Sequence, residues 1–349
     1  MSAAFRAAVR DFPPAYFAMV MATGIVSLAA DAYGMTGVAR FLFDGNVVIF
    51  GALLGLTALR LLWQARAFLA DMADHTRGPG TFTLVAGVCV LGSQFVILAG
   101  NYAIGTGLWL AACVLWVVLI YGVFAALSVK QAKPSLAQGI NGGWLLGVVS
   151  TQAIAVLGAL IAVHWPAWQL ELNFIALAMW LVGGMLYIWM AALIFYRYTF
   201  FAFAPGDLSP PYWINMGAMA ISTLAGSLLI QNAPDAPFVR SLLPFVKGFT
   251  VFYWATGSWW IPMLLVLAVW RYGLRRHPLR YDPLYWGAVF PLGMYTVATD
   301  HMARVMDLPF LAPLPHIFVY LALAAWLVAF AGLLASLWSG ARHAFDSGA

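Results

Sequence analysis

Long apolar runs separated by short polar segments occupy the chain from residue 13 to residue 338. A helix needs roughly 20 apolar residues to cross a hydrocarbon core of about 30 Å, and ten runs come close to this length. The connections between them are short, so the pattern predicts a single transmembrane domain over residues 1–349. The predicted spans are 13–31, 45–63, 81–99, 105–127, 142–163, 172–196, 211–230, 249–270, 283–300 and 317–338.

The least obvious division lies between the third and fourth spans, where Gly100 and Asn101 interrupt a long apolar stretch. The stretch from 81 to 127 is far too long for one crossing of the bilayer. We therefore predict two helices with a tight turn at these two residues.

Composition agrees with this pattern. Hydrophobic residues make up 64% of the 349 residues and charged residues only 8%, whereas soluble domains carry about 25% charged residues. The mean hydropathy is +0.90. These values exclude an ordinary soluble protein and predict an all-α integral membrane protein.

The distribution of Lys and Arg predicts the orientation in the membrane. With the N-terminus in the cytoplasm, thirteen of the 17 basic residues fall on the cytoplasmic side, as expected when Lys and Arg set the topology. The four on the other side are Arg40, Arg240, Lys247 and Arg304. We therefore expect a multi-pass protein of the cell inner membrane with both termini in the cytoplasm. The basic run 271–280 fits a topology anchor with some attraction to anionic lipid better than a nucleic-acid site.

The odd-numbered predicted helices share features that indicate an internal repeat. Three of them open on proline followed by aromatic residues, at 13–17, 210–213 and 283–286. Proline suits the first turn of a helix because its missing N–H had no partner there. Aromatic rings suit the headgroup boundary, so these helices should begin at the same interface.

Hydroxyl side chains recur at a fixed distance from these starts. In four odd helices a Ser or Thr lies eleven residues after the aromatic residue, which is about 16 Å along a helix and near the bilayer midplane. These four are Ser27, Ser93, Thr223 and Thr296, and the fifth helix has Ser150 and Thr151 at a similar depth. The pattern favours a pore shared by the five odd helices. The alternative is that these hydroxyls bond back to their own backbone, as Ser and Thr often do in membrane helices.

The odd helices are also the more polar and glycine-rich set. Polar groups in hydrocarbon are costly unless they face protein or water, so the economical arrangement places the odd helices inside and the even helices outside. The predicted pore-lining residues are Thr23, Gly24, Ser27, Gly87, Ser93, Gly147, Ser150, Thr151, Gly217, Thr223 and Thr296.

A bulky residue on the ninth helix is a candidate gate. Phe290 lies five residues after Tyr285 and precedes Pro291, while the equivalent positions in the third and seventh helices are glycines. A ring at this level would plug a narrow axial channel, and Pro291 removes a backbone hydrogen bond and favours a kink. The alternative is an ordinary packing or lipid-facing phenylalanine.

Three segments carry a resemblance to a known family. Residues 16–27, 211–220 and 290–292 are similar to the tellurite-resistance/dicarboxylate transporter family of the voltage-dependent anion channel superfamily, which includes bacterial TehA, the yeast malate permease and sulfite pump, and the plant slow anion channels. The family's usual Met-Gly-Thr-Gly-Ile has alanine at Ala22 here, which would narrow a path slightly.

The resemblance implies a particular architecture and gate. It implies ten transmembrane helices as five helical hairpins in quasi-fivefold arrangement, with the inner odd helices around a central pore. It also implies a homotrimer with one pore per subunit, and by motif it places the family's gating phenylalanine on Phe290. Small inorganic or organic anions and membrane lipid are the partners expected from it.

Two transport mechanisms remain open from the sequence. No Asp, Glu, Lys or Arg lies in the middle of a predicted span, which favours a weakly binding channel for halide, nitrate, oxyanion or C4-dicarboxylate. The alternative is a proton-coupled secondary transporter of dicarboxylate, sulfite or tellurite. Its best coupling candidates are Asp300, His301 and Arg304, which would otherwise form an ion-paired helix end at the interface.

Enzymatic chemistry is not indicated. A membrane enzyme would need convergent histidines or acids, but the six histidines lie in predicted loops or at helix ends, without metal-ligand spacing. The two cysteines, Cys89 and Cys113, lie inside predicted spans as small buried residues. We therefore predict no catalytic residues, no cofactor and no metal.

Overall fold

The computed structural model describes the backbone of residues 3–279 and 281–346 and the side chains of residues 6, 8–279 and 281–339. Arg280, the last residue of the basic run, lies outside the described residues. Ten long helices are labelled α1 to α10 in chain order. They are Ala18–Ala32, Thr36–Met72, Phe82–Ala99, Tyr102–Val129, Leu146–Ala162, Gln169–Phe200, Ile214–Asn232, Leu243–Ala268, Trp286–Val305 and Pro313–Asp346.

The long helices have the length and apolar character that membrane spans require. Within the described ranges, nine helices are long and apolar enough to cross a membrane, and α9 is the one of the ten outside this set. Its last turns carry Asp300, His301 and Arg304, which lower its hydropathy. The prediction of an all-α membrane protein is confirmed.

Each predicted span overlaps one of these helices, but the outer helices extend further than predicted. The second helix begins at Thr36, nine residues before the predicted start, and its backbone leaves helical geometry at Gln64 (φ −139°, ψ 37°). The predicted second span, 45–63, ends immediately before this kink. Helices α6 and α10 likewise continue beyond the hydrophobic run that predicted them.

The predicted turn between the third and fourth helices is present. Gly100 ends α3 in the left-handed conformation (φ 62°), which costs glycine nothing because it has no Cβ. The Asn101 side chain then accepts a hydrogen bond from the Ile104 N–H at 3.0 Å and caps α4. Two residues are therefore enough to separate the helices.

Every odd helix is preceded by a short 3₁₀ turn. The five turns are Pro14–Phe17, Gly78–Thr81, Gly142–Leu145, Pro210–Trp213 and Pro283–Tyr285. Each turn contacts two others, and the contacts close into one cycle in chain order. The odd helices therefore all begin at the same end of the molecule.

The odd helices form the interior. Among α1, α3, α5 and α7, between 78% and 94% of the most apolar window is buried, against 22% to 44% for the five even helices. Each odd helix contacts the next odd helix, and α9 contacts α1, so these contacts also form a closed cycle. Each even helix packs against the odd helix that precedes it in the chain.

Side-chain hydrogen bonds join each even helix to the next odd helix. In every case an amide or indole N–H on the even helix donates to an oxygen on the odd helix, at 2.7 to 3.1 Å. The five bonds are Asn46 to Gln94, Trp116 to Thr151, Trp180 to the Ser222 carbonyl, Trp254 to Thr299 and Trp326 to Thr23. The last bond joins α10 to α1, so the first and last of the ten long helices lie side by side.

Candidate functional site

A small cavity lies where the five odd helices meet. All five contribute to its wall: Ile25 and Leu28 from α1, Cys89, Val90, Ser93 and Ile97 from α3, Ala153, Val156 and Leu160 from α5, Ile221, Leu224 and Leu228 from α7, and Met294, Val297 and His301 from α9. A surface shared by all five inner helices marks the central axis of the bundle.

The cavity is narrow and mostly apolar. Its volume, taken over the centres of water-sized spheres, is about 30 Å³. One water needs roughly 10–15 Å³ by this measure, so the space is too small for a hydrated anion. Cys89, Ser93 and His301 are the polar or ionisable exceptions in a wall of aliphatic and methionine side chains.

Phe290 lies on the same face of α9 as the cavity wall. Met294, Val297 and His301 line the cavity, and Phe290 precedes Met294 by four residues. Spacings of four, three and four residues keep these side chains on one face of a helix. Phe290 is 0% exposed. Its Cα precedes that of Met294 by about 6 Å along the helix axis, toward the end of α9 at which the odd helices begin.

The neighbouring Pro291 packs tightly against α7. A Cβ added to Gly217 would lie 2.8 Å from the Pro291 Cγ, closer than real Cβ atoms approach other heavy atoms. Pro291 lies inside α9, where proline cannot donate a backbone hydrogen bond. Gly217 thus admits a rigid ring at the level of the predicted gate.

The predicted pore-lining hydroxyls divide into two groups. Ser93 borders the cavity and donates to the Cys89 carbonyl at 3.0 Å. Ser150, Thr223 and Thr296 are buried and donate to carbonyls three or four residues earlier in their own helices.

The remaining predicted hydroxyls contact the outer helices. Thr23 accepts from the Trp326 indole at 2.9 Å, and Ser27 donates to the Ala39 carbonyl of α2 at 2.7 Å. Thr151 accepts from the Trp116 indole and donates to the Gly147 carbonyl, each at 2.8 Å. In this conformation their hydrogen-bonding groups serve the packing of inner helices against outer ones.

The predicted pore-lining glycines lie at contacts between helices. An added Cβ would lie 2.5 Å from Val90 Cγ1 at Gly24, 3.5 Å from Val20 at Gly87, and 3.5 Å from the Phe82 ring at Gly147. Close approach of helices is the usual role of small residues in membrane bundles. A direct contact of these glycines and hydroxyls with a passing ion stays a prediction.

Sequence reasoning missed the aliphatic residues that form most of the cavity wall. They recur with spacings of three and four, as in Ile221, Leu224 and Leu228. That signal is weak here, because the inner helices are buried on almost every side, so no solvent-facing side distinguishes one face from another. His301 was a coupling candidate from its charged neighbours, but its place in the cavity wall was not anticipated.

An ion pair lies beside His301, at the end of the cavity away from Phe290. Arg304 donates to the Asp300 carboxylate across one helical turn, with Arg304 63% exposed and Asp300 15% exposed. His301, which lies between these two residues in the sequence, borders the cavity. The Asp300–Arg304 ion pair and the His301 imidazole therefore lie together at this end of the cavity.

Comparisons with known proteins find similar sequences over most of the chain. The sequence model of the voltage-dependent anion channel family (SLAC1) matches residues 11–334, a range that includes all five helices around the cavity. The chain is 38% identical over 149 residues to an uncharacterized membrane protein of Mycobacterium tuberculosis, covering 43% of this chain and 75% of that protein.

Two longer matches are to proteins named for transport. An uncharacterized transporter of Methanocaldococcus jannaschii is 23% identical over 341 residues, covering 95% of this chain and 96% of that protein. A sulfite efflux pump of Trichophyton rubrum is 26% identical over 352 residues, covering 93% of this chain and 90% of that protein.

Proposed function

Because this chain belongs to the voltage-dependent anion channel family, we propose that it moves small anions across the cell inner membrane through a pore along the axis of the central cavity. The anions are halide, nitrate, an oxyanion or a C4-dicarboxylate, and Phe290 is the gate. One observation carries the proposal: Phe290 shares a face of α9 with the residues that line a cavity common to all five inner helices.

The proposed architecture is five helical hairpins in quasi-fivefold arrangement. Three closed cycles support it, formed by the contacts among 3₁₀ turns, by the contacts among odd helices, and by the hydrogen bonds from even helices to odd ones. A homotrimer with one pore per subunit and cytoplasmic termini complete the proposal. They rest on the resemblance and on the distribution of basic residues.

The closed pore combines a plug with a dry constriction. The Phe290 ring fills the axis, and the aliphatic wall beyond it disfavours water in so small a space, which by itself opposes ion passage. Conduction requires the ring to rotate away and the cavity to widen and hydrate. Weak interactions with hydroxyls and backbone dipoles, and the positive potential of cytoplasmic Arg and Lys, would then guide the anion without trapping it.

The gate is tested by replacing Phe290 with alanine. In proteoliposomes or oocytes, Phe290→Ala should raise the anion current about tenfold or more, since each 1.4 kcal/mol lost by the closed state shifts the equilibrium tenfold. Phe82→Ala is the matched control, because Phe82 is 1% exposed but packs against Phe124 and Gly147 away from the cavity. An unchanged current with normal surface expression, or an equal rise in the control, would remove Phe290 as the gate.

The transported anion is tested by reversal potentials in liposomes. Chloride, nitrate, sulfite and malate are compared under the same gradient, with Phe290→Ala used to raise the signal. Sulfite is included because a relative is named a sulfite efflux pump. A reversal potential that follows none of these anions would end the proposal of anion permeation.

A proton-coupled transporter of dicarboxylate, sulfite or tellurite is the second candidate, and the position of His301 favours it. Histidine is the residue type that proteins most often use to bind and release protons near neutral pH, and His301 lines the cavity wall. A proton held there would add positive charge beside the proposed anion path. The Asp300–Arg304 pair lies in the same turn of helix.

Coupling is tested by flux at different pH values with and without an uncoupler. A coupled transporter should lose accumulation when the proton gradient collapses, and His301→Gln should remove the pH dependence of the flux. His316→Gln is the control, because His316 packs against Tyr33 and Tyr320 instead of lining the cavity. Flux that follows the anion gradient alone would exclude proton coupling and support the channel mechanism.

A further inference from the structure

Three buried arginines lie in the second half of an outer helix or just beyond its end, on the side where the odd helices begin. Arg60, Arg197 and Arg271 are 2%, 5% and 8% exposed. Arg60 pairs with the Asp71 carboxylate and donates to the Arg10 carbonyl at 3.0 Å. Arg197 pairs with Asp207 at 3.1 Å and also donates to two backbone carbonyls.

Within the described part of the chain, no carboxylate forms an ion pair with Arg271. It lies in a π-helical turn, Val269–Leu274, that follows α8. Its Nε is buried without a hydrogen-bond partner, and its guanidinium carbon lies 5.0 Å from the centroid of the adjacent Tyr272 ring. The nearby Asp282 carboxylate accepts from the Leu284 N–H and caps the turn before α9.

A buried cation without an anion is expensive. Removing a charge from water costs several kcal/mol, and only a counter-charge with good hydrogen bonds offsets this. Asp71 and Asp207 supply that counter-charge for the other two arginines. Arg271 therefore calls for an anion from outside the described chain.

The space next to Arg271 has a polar end and a long apolar end. Arg271 lines a pocket of about 180 Å³ with Ser209, Tyr212 and Tyr272. This pocket adjoins a groove of about 540 Å³ by the same measure, and the two share Trp213, Leu279, Tyr285 and Ala288. The rest of the groove is Val289 and Leu292 of α9, Ala324, Ala325, Val328, Ala329 and Gly332 of α10, and Tyr281.

We propose that this composite site binds one anionic phospholipid. The phosphate accepts hydrogen bonds from the Arg271 guanidinium, and an acyl chain lies in the groove between α9 and α10. Arg275 and Arg276 follow in the same basic run and are exposed, so they add to the attraction for a negative headgroup. A guanidinium is the side chain best shaped to bind a phosphate with two parallel hydrogen bonds.

A lipid fits this site better than a second copy of the chain does. The site is charged at one end only, and the charge is buried at the end of a continuous apolar groove, which matches an amphiphile lying along the bilayer normal. A helix from another subunit could fill the groove, but it would also have to bring a carboxylate to Arg271.

The site lies behind the proposed gate. Ala288, Val289 and Leu292 line the groove, and they flank Phe290 and Pro291 in the sequence of α9. A bound acyl chain would therefore pack against the reverse side of the helix that carries the gate. The binding proposal itself does not depend on the proposed function.

The headgroup contact is tested with purified, delipidated protein. Binding of phosphatidylglycerol is compared with that of phosphatidylcholine bearing the same chains, by native mass spectrometry and by thermal unfolding in detergent. The wild-type protein should prefer phosphatidylglycerol, and Arg271→Gln should weaken that binding about tenfold, which corresponds to about 1.4 kcal/mol. Arg66→Gln is the control, because Arg66 is an exposed arginine on α2 near the same end.

Stability without lipid gives a second readout of the same contact. In phosphatidylcholine alone, Arg271→Gln should unfold at the same temperature as the wild type or higher, since it removes an unpaired buried charge. Phosphatidylglycerol should then raise the unfolding temperature of the wild type but not that of the variant. No preference between the two lipids in the wild type, or an undiminished preference in the variant, would overturn the proposal.

The groove is tested by filling it. Ala325→Phe should reduce binding of phosphatidylglycerol about tenfold, while Ala111→Phe, an equal change on the exposed face of α4, should leave it unchanged. Inorganic phosphate alone should not reproduce the stabilisation, because it lacks the acyl chain. Stabilisation by phosphate equal to that by lipid would overturn the acyl-chain contact. A changed oligomeric state in Ala325→Phe with unchanged lipid binding would assign the groove to a subunit interface instead.

Discussion

The two halves of the central axis differ in how side chains fill them. In the half where the odd helices begin, the Phe290 ring is fully buried and the adjacent Pro291 packs on Gly217 without space for a Cβ. In the other half, a cavity of about 30 Å³ remains, walled mainly by aliphatic side chains. One half is filled by a specific side-chain contact, and the other keeps a small, mostly apolar space.

This difference indicates where a switch can act. A packed ring has discrete rotamers, so its removal from the axis is a two-state change. An apolar wall instead responds gradually to size and polarity, because each added polar group lowers the cost of wetting by a small amount. Changes at Phe290 and Gly217 should therefore be large, and changes in the cavity wall should be small.

The largest effect is expected for access to the cavity after Phe290→Ala. Loss of a packed phenylalanine costs about 3–5 kcal/mol, and when the closed state bears most of this cost, opening increases by about a hundredfold or more. Cys89 lines the cavity and is the sole thiol once Cys113 is replaced by serine. Its rate of modification by an anionic thiol reagent should rise accordingly. An unchanged rate alongside a larger current would place the ion path away from the cavity.

A smaller effect is expected at the contact beside the gate. Gly217→Ala forces a Cβ against the Pro291 ring, and such overpacking typically costs about 1–3 kcal/mol. The unfolding temperature in detergent should fall. Gly55→Ala on the outer helix α2 is the control, because a Cβ there meets nothing within 4 Å, and its unfolding temperature should not fall. Equal behaviour of the two variants would show that the contact can relax.

The smallest effect is expected in the cavity wall. Ser93 borders the cavity but donates to its own helix at the Cys89 carbonyl. Ser93→Ala should change the anion current by no more than about threefold, since single hydrogen bonds in membrane bundles average about 0.6 kcal/mol. Ser227→Ala, which removes a similarly bonded hydroxyl of α7, is the comparison. A large loss in Ser93→Ala alone would make this hydroxyl a binding group for the ion.

Part of the candidate site could be anticipated from the chain. The proline and aromatic starts at 13–17, 210–213 and 283–286 correspond to 3₁₀ turns that precede odd helices, because proline fits a first turn whatever surrounds it. The resemblance at residues 290–292 directed attention to Phe290. The hydroxyl pattern was a weaker guide, since equal depth along a helix does not determine the direction in which a side chain points.

The sequence by itself determined the environment and the helices of this protein. Apolar runs of membrane length, the break at Gly100 and Asn101, and the family resemblance are local properties that survive in any arrangement of the helices. The tertiary structure decided which face of each inner helix meets the axis, because those helices are buried on almost every side and no solvent-facing side marks one face. It also decided which buried arginine of the described residues has no carboxylate partner, because a salt bridge forms only where folding brings two side chains within a few ångströms.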